Sequence, residues 1–171
     1  MLTEDDIRNE NWMGSVQSLR NVANTFLEEL IDASGKREEL ERKGLIGGYF
    51  AVTDKEGQPI YTLQLGALPV ELDRSQGRFE KAVEKAFRLA QNPGHTTSME
   101  SANHQYERYG GAVRGVEYLH SFSGLPEKLD EIFSCLMAYR ARDMAYETAA
   151  RIIGDDYQKY LWIVHGRQPV K

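Results

Sequence analysis

The chain has almost nothing from which cross-links or metal centres are made. Cys135 is its only cysteine, so no intramolecular disulfide can form and no C-x-x-C metal or redox site can be built. A reducing compartment suits such a chain. The four histidines, His95, His104, His120 and His165, show neither H-E-x-x-H nor H-x-x-x-H spacing, which leaves a dedicated metal site without support. No apolar run approaches the roughly 18 residues of a membrane span, and the opening Met1–Asp6 is acidic where a secretory leader would be basic. The expectation is a cytoplasmic protein with no membrane attachment.

Basic charge is also scarce. The chain carries 21 Lys+Arg against 26 Asp+Glu, a net charge of −5, and nucleic-acid binders usually show a basic stripe. The one basic cluster, Arg37 to Lys43, is interleaved with Glu38, Glu39 and Glu41 and reads as a solvated helix face. The phosphate-binding signatures are missing as well. There is no G-x-x-x-x-G-K-[ST], and Gly110 to Gly115 lacks the G-x-G-x-x-G spacing that brings backbone up to a pyrophosphate. Ser121-Phe122-Ser123-Gly124 lacks the preceding glycine of a nucleophile elbow.

What remains is the composition of an ordinary globular protein. Of its 171 residues, 41% are hydrophobic and 27% charged, and a chain of this length buries enough surface for one sizeable core. A single domain is expected over residues 1–171. Val16, Leu19, Ala23, Phe26, Leu27, Leu30 and Ile31 recur at helical spacing and predict a helix from about Ser15 to Ile31, continuing through the charged run to Lys43. Ile46 to Thr53 alternates as a strand. Asp54-Lys55-Glu56-Gly57 supplies a turn, and Pro59 to Leu65 resumes in extended form, giving a hairpin.

Phe79, Ala82, Val83, Ala86, Phe87 and Ala90 form a second helical stripe within Ser75 to Gln91, ended by Asn92-Pro93-Gly94. His95 to Tyr109 reads as a loop with a short helix from about Ser98 to Gln105, capped by Thr97 or Ser98. Gly110 to Gly124 reads as sheet, with Gly115 marking either a bend between two strands or a bulge in one. Pro126 opens a last long helix running to Ile152, stopped by Gly154. The apolar tail from Tyr157 to Val164 is expected to dock on the body or on a neighbouring subunit. The order helix, hairpin, helix, sheet, helix predicts an α+β fold with an antiparallel sheet.

Individual residues admit chemical and structural readings side by side. His95 follows Pro93-Gly94 in a polar turn, where a ring nitrogen can ligate haem iron or bond an anion. His120, between Leu119 and Ser121 in a strand, reads as a packed, hydrogen-bonded side chain. Tyr106 and Tyr109 precede the glycine pair as candidate phenolate ligands or ring-stacking walls. Cys135 reads as a small core residue. Lys85 sits one position off the apolar stripe, either solvated or reaching an anionic ligand beside the sheet.

Four short segments, in order, resemble one family. Ala51-Val52-Thr53-Asp54 with Gly57 is similar to a V-V-D-x-x-G hairpin. Ala82-Val83-Glu84-Lys85-Ala86-Phe87 with Ala90 and then Thr96-Thr97 is similar to A-x-x-K-A-x-x-A…T. Gly110-Gly111-Ala112-Val113 is similar to G-G-x-P-I, and Ser121 to Pro126 to a strand-ending V-S-G-L-P. These are patterns of the GlcG/HbpS-like haem-binding or haem-degrading family, and the resemblance covers roughly Ile46 to Leu136. It implies a profilin-like α/β/α fold with a central antiparallel sheet, and assembly into homo-oligomers. By the same resemblance Lys85, Thr96, Gly110, Gly111, Ser123 and Gly124 line or shape a ligand pocket between the second helix and the later strands.

Haem or another tetrapyrrole is the ligand so implied, with His95 first and Tyr109 second as iron ligand. The chain departs from the pattern in three places. Val113 stands where the family has proline, the stretch from Arg114 to His120 is shorter than the family hairpin, and a helical, aromatic extension follows from about residue 139. The competing expectation is a non-catalytic assembly protein acting through its last helix and tail. A third is an enzyme using His95 and Lys85 as acid and base on a small carboxylate.

Overall fold

A computed structural model describes residues 4–166, with side chains from residue 15 onward. Met1 to Thr3 of the acidic opening lie outside the described residues, as do the side chains of Glu4 to Asp6. The protein is α+β, a profilin-like arrangement of a four-stranded antiparallel sheet between helices. Helix α1 (Glu4–Ser34) leads into a short α2 (Arg37–Arg42), then the hairpin β1 (Ile46–Thr53) and β2 (Pro59–Ala67), and α3 (Leu72–Ala90). Two 3-10 turns, Ser98–Ser101 and His104–Tyr106, precede β3 (Ala112–Arg114) and β4 (Leu119–Ser123). Three helices close the chain: α4 (Glu127–Arg140), α5 (Tyr146–Ile153) and α6 (Tyr157–His165). No helix among the described residues is long and apolar enough to cross a membrane.

The strands lie in the order β2-β1-β4-β3. Phe50 of β1 stands opposite Leu63 of β2 and Phe122 of β4, and Val52 opposite His120. Period-two alternation sends Phe50, Val52 and Phe122 to one face, where they meet Leu27, Leu30 and Ile31 of α1 and Phe133 and Leu136 of α4. Helix α3 covers the opposite face, with Ala86 and Leu89 against Ala112 and Leu119. Rings of Phe50 and Phe122 lie 5.7 and 4.6 Å from that of Phe133, edge-on and tilted, as aromatic pairs prefer.

Several sequence expectations are refined by backbone geometry. The first helix does not continue to Lys43: Gly35 adopts a positive φ of 69°, which closes α1, and α2 restarts as a separate turn. Arg37 then pairs with Glu28, Asp32 and Glu41 at the surface, a solvated face as its composition implied. The 98–105 helix resolves into the two 3-10 turns, the first held by a Thr97 to Glu100 capping box. Residues 110–124 are two strands rather than one bulged strand. Gly115 sits where β3 turns toward β4, donating its N–H to Tyr118 O at 2.8 Å, and a Cβ there would collide with the Asp143 carboxylate.

The same Asp143 breaks the predicted long final helix. Arg142 takes a φ of 60°, and Asp143 is turned inward to accept N–H bonds from Glu117 at 2.6 Å and Tyr118 at 3.0 Å. His120 Nε2 meets its Oδ2 at 2.8 Å. The chain restarts as α5. The aromatic tail forms α6 and docks on its own body, with Tyr160, Leu161 and Ile163 buried in the core that α1 and α4 share.

Burial lowers the His120 imidazole from its ordinary value of 6.5, with Asp143 pulling the other way. The folded state therefore binds its proton less readily than the unfolded chain, and the stability held by the neutral ring is lost as pH falls below about 6.5. Urea midpoints should drop between pH 7.5 and 5.5, and His120→Phe should flatten that drop. An unchanged pH slope in the variant would assign the dependence elsewhere.

Candidate functional site

One end of the sheet is opened by a backbone that stops pairing. Gly111 O accepts from Phe122 N at 3.2 Å, half of the reciprocal pair expected of antiparallel partners. The φ of Gly111 is 131°, and this turns the chain away from β4. The carbonyl of Phe122 is instead taken by a side chain: Lys85 Nζ donates to it at 3.0 Å. A Cβ on residue 111 would sit 2.7 Å from that Nζ and 2.8 Å from Asp130 Cβ, so the glycine is needed for both its conformation and its lack of bulk. Ser134 Oγ holds the Gly111 carbonyl at 2.6 Å.

Lys85 and Asp130 form a buried ion pair at this point, 2.8 Å apart and each only 2% exposed. Lys85 comes from α3 on one face of the sheet and Asp130 from the first turns of α4 on the other. The pair therefore ties the two layers around the sheet's open end. Asp130 Oδ1 also accepts the N–H groups of Gly124 at 3.2 Å and Leu125 at 2.8 Å. Burial pushes the Asp130 carboxyl up, against the opposing pull of Lys85 and these two donors.

Above the pair lies a cleft of about 380 Å³, within the range of small-molecule sites. Arg78, Lys81 and Lys85 reach it from α3, spaced three and four residues apart so that they share one helix side. Leu45, Leu125 and Pro126 give it an apolar wall, and Tyr109, His104 and Glu127 form the opposite rim. His104 Nε2 lies 3.1 Å from both Glu127 oxygens, and Gly110 N donates to Glu127 Oε2 at 3.0 Å. Burial raises the Glu127 carboxyl, but Gly110, His104 and Lys85 outweigh it and hold the group below the usual range.

The remaining cations are not so matched. Arg78, which is buried, donates only to the carbonyls of Gly47 and Gly44, both at 2.7 Å. Lys81 Nζ rests 4.6 Å over the Tyr109 ring. Neither has a carboxylate partner among the described residues, so the cleft carries surplus positive charge at two positions.

Of the residues singled out from sequence, Lys85, Tyr109, Ser123 and Gly124 line this cleft, with Gly110 and Gly111 forming backbone beside it. His95 and Thr96 do not line it. The turn after α3 carries them past the helix's C-terminal end, where Arg114 Nε donates to His95 O at 2.9 Å and Arg114 N to Thr96 O at 2.8 Å. An acid–base pairing of His95 with Lys85 is thus not assembled, because Lys85 is committed to Asp130 and Phe122. The i, i+3, i+7 spacing of Arg78, Lys81 and Lys85 was visible in the sequence. Asp130 and His104 carried no signal there, since each enters only by tertiary contact.

Breaking a buried pair leaves an uncompensated charge, which costs about 3–5 kcal/mol. Lys85→Met and Asp130→Asn should each lower stability by about that amount in urea unfolding. The double variant should lose clearly less than the sum, and strict additivity would show that the two groups do not act as a pair. No family model, curated protein or solved structure matches this chain.

Proposed function

We propose that this protein binds a small anionic ligand in the cleft between α3, Tyr109 and the start of α4. The observation that carries the reading is the pair of cations, Arg78 and Lys81, that face a concave site without carboxylate partners. A buried guanidinium held only by carbonyls keeps its charge available to a carboxylate or phosphate. The Lys85–Asp130 pair beneath serves as floor rather than as ligand.

Within that reading, haem or another tetrapyrrole of the GlcG/HbpS-like type is the specific candidate, and the donor chemistry of the rim suits it. Arg78 and Lys81 are partners for propionates, while Leu45, Leu125 and Pro126 offer apolar contact. The Tyr109 phenol or the His104 imidazole is the available iron ligand, their rings 5.6 Å apart. Bound haem would supply redox-active iron whose behaviour its axial residue and surroundings tune. His95 has no part in this arrangement.

Haemin titrated into the purified protein should give a saturable Soret band near one per chain. Lys81→Glu should weaken it by about tenfold, a charge-assisted contact's worth, and Tyr109→Phe should shift its maximum. His95→Ala should leave the band unchanged. Saturable binding of small carboxylates with none of haemin would retain the anion site and remove the tetrapyrrole. Binding of neither would remove both.

A second reading, self-assembly, has its own support in α3. Phe79 and Phe87 lie eight residues apart on that helix and are 40% and 47% exposed, and Leu72 and Ile60 are more exposed still. A contiguous exposed apolar patch marks a protein–protein interface, whereas single exposed apolar side chains are ordinary. The tail is not that surface, because α6 is packed into its own core. Light scattering should report a homo-oligomer that Phe79→Glu with Phe87→Glu converts to monomer, and a monomeric parent chain would end this reading.

A further inference from the structure

The sheet has two edges, and the chain treats them differently. Along β3, Thr97 bridges Val113 and Arg114 N donates to Thr96 O at 2.8 Å, so backbone from the preceding turn covers that edge. Along β2 no strand or bridge pairs with the outer side among the described residues. Helix α3 packs on β1, β4 and β3, and beside it Ile60 and Gln64 of β2 are exposed and Thr62 is half-buried.

Alternation decides which backbone groups of β2 face outward. Phe122 directs its N–H and C=O toward β3, to Gly111 and Lys85. Its neighbour Phe50 therefore turns its own groups to β2, where it stands opposite Leu63. Tyr61, Leu63 and Leu65 then bond inward, and Thr62, Gln64 and Gly66 turn N–H and C=O away from the sheet. Gly66 agrees with this, since its N–H is taken from outside by Asn24 Oδ1 of α1 at 2.9 Å. At the other end, a register shift between Val52 and Thr53 leaves Ile60 out of the ladder. The free segment is thus Tyr61–Leu65, centred on Leu63, and its Thr62 and Gln64 backbones face no partner strand.

Sheet edges are commonly guarded by charge, above all by lysine. This edge has none: Gly57 to Val70 is the longest uncharged stretch in a chain that is 27% charged. A two-fold axis sets an edge against its own copy, so a charge on it would come up against its like, whereas an unrelated partner imposes no such constraint. A neutral strip suits a self-facing edge on a molecule that carries −5. Exposed Phe79 borders the strip, because its ring meets Tyr49 edge-on at 5.5 Å and Tyr49 stands opposite Gln64.

We propose that β2 is the interface with a second copy of this chain, the two β2 strands pairing antiparallel about an axis at Leu63 so that the two sheets become one. In that register Thr62 exchanges backbone hydrogen bonds with Gln64 of the partner subunit, and the axis repeats the exchange. The inference rests on the self-assembly reading above and adds to it the strand, the register and the partner.

Light scattering on the full chain should report self-association that Thr62→Lys with Gln64→Lys weakens by about tenfold, since each lysine then faces a lysine. Thr62→Lys with Gln64→Glu sets opposite charges in the same register and should retain it. Cysteine cross-linking reads the register without relying on charge. Oxidising a mixture of Thr62→Cys and Gln64→Cys chains should give a disulfide-linked dimer, and either variant alone should give none, because Cys135 is buried. A mixture that does not cross-link, or a single variant that cross-links equally well, would overturn the proposal whatever the lysine variants do. If Phe79→Glu with Phe87→Glu dissociates an assembly that the two lysines leave intact, self-assembly through α3 stands and the β2 interface falls. A monomeric parent chain ends both.

Discussion

The ion pair between Lys85 and Asp130 is the contact on which the arrangement of this protein turns. It joins α3 to α4 at the point where β3 leaves the sheet, and it supplies a donor to Phe122 O that the diverging backbone no longer provides. Two buried charges are costly to hold away from water, and this pair is supported by the two N–H groups at the start of the Ser123–Pro126 turn. Its consequence reaches beyond stability. Because the pair occupies the gap at the sheet's end, the cleft above it has a rigid polar floor, and the cations beside it are left without internal partners.

A comparable device works at the other end of the same strands. Asp143 gathers Glu117, Tyr118 and His120, so that one carboxylate fastens the β3–β4 turn to the break between α4 and α5. Both clasps take a carboxylate from just inside or just beyond α4 and use it to satisfy backbone N–H groups of a turn. In each case a glycine, Gly111 or Gly115, lies where a side chain would strike the clasp. The sheet is thus pinned at both ends of its shorter pair of strands.

The periodicities of α1, α3 and the first hairpin were legible because each element buries one face, and burial imposes 3.6-residue or two-residue spacing on the apolar positions. The α+β class followed from their order. Helix ends were less legible. Propensity favoured one helix from Pro126 to Ile152, but propensity is a weak term, and the three bonds that Asp143 accepts from residues more than twenty positions away outweigh it. The candidate site was legible in part: Lys85, Tyr109, Ser123 and Gly124, all singled out from the sequence, line one cleft, whereas His95 is led away by the turn that ends α3. His120 read as a packed strand histidine. It is packed, and one nitrogen is bonded, but its partner Asp143 could not have been told from the sequence.

By itself, then, the amino-acid sequence determined the class of fold, the hairpin, the amphipathic faces and, through its single cysteine, the exclusion of an intramolecular disulfide, because these depend on composition and on spacing along one element. The tertiary structure alone decided which charges are neutralised and which are left over. Lys85 and Lys81 are four residues apart on the same helix, yet one is sealed against Asp130 and the other lies over an aromatic ring at a cleft. That difference arises from where a glycine turns β3 aside and from which carboxylate α4 delivers there, and both depend on contacts between residues far apart in the chain.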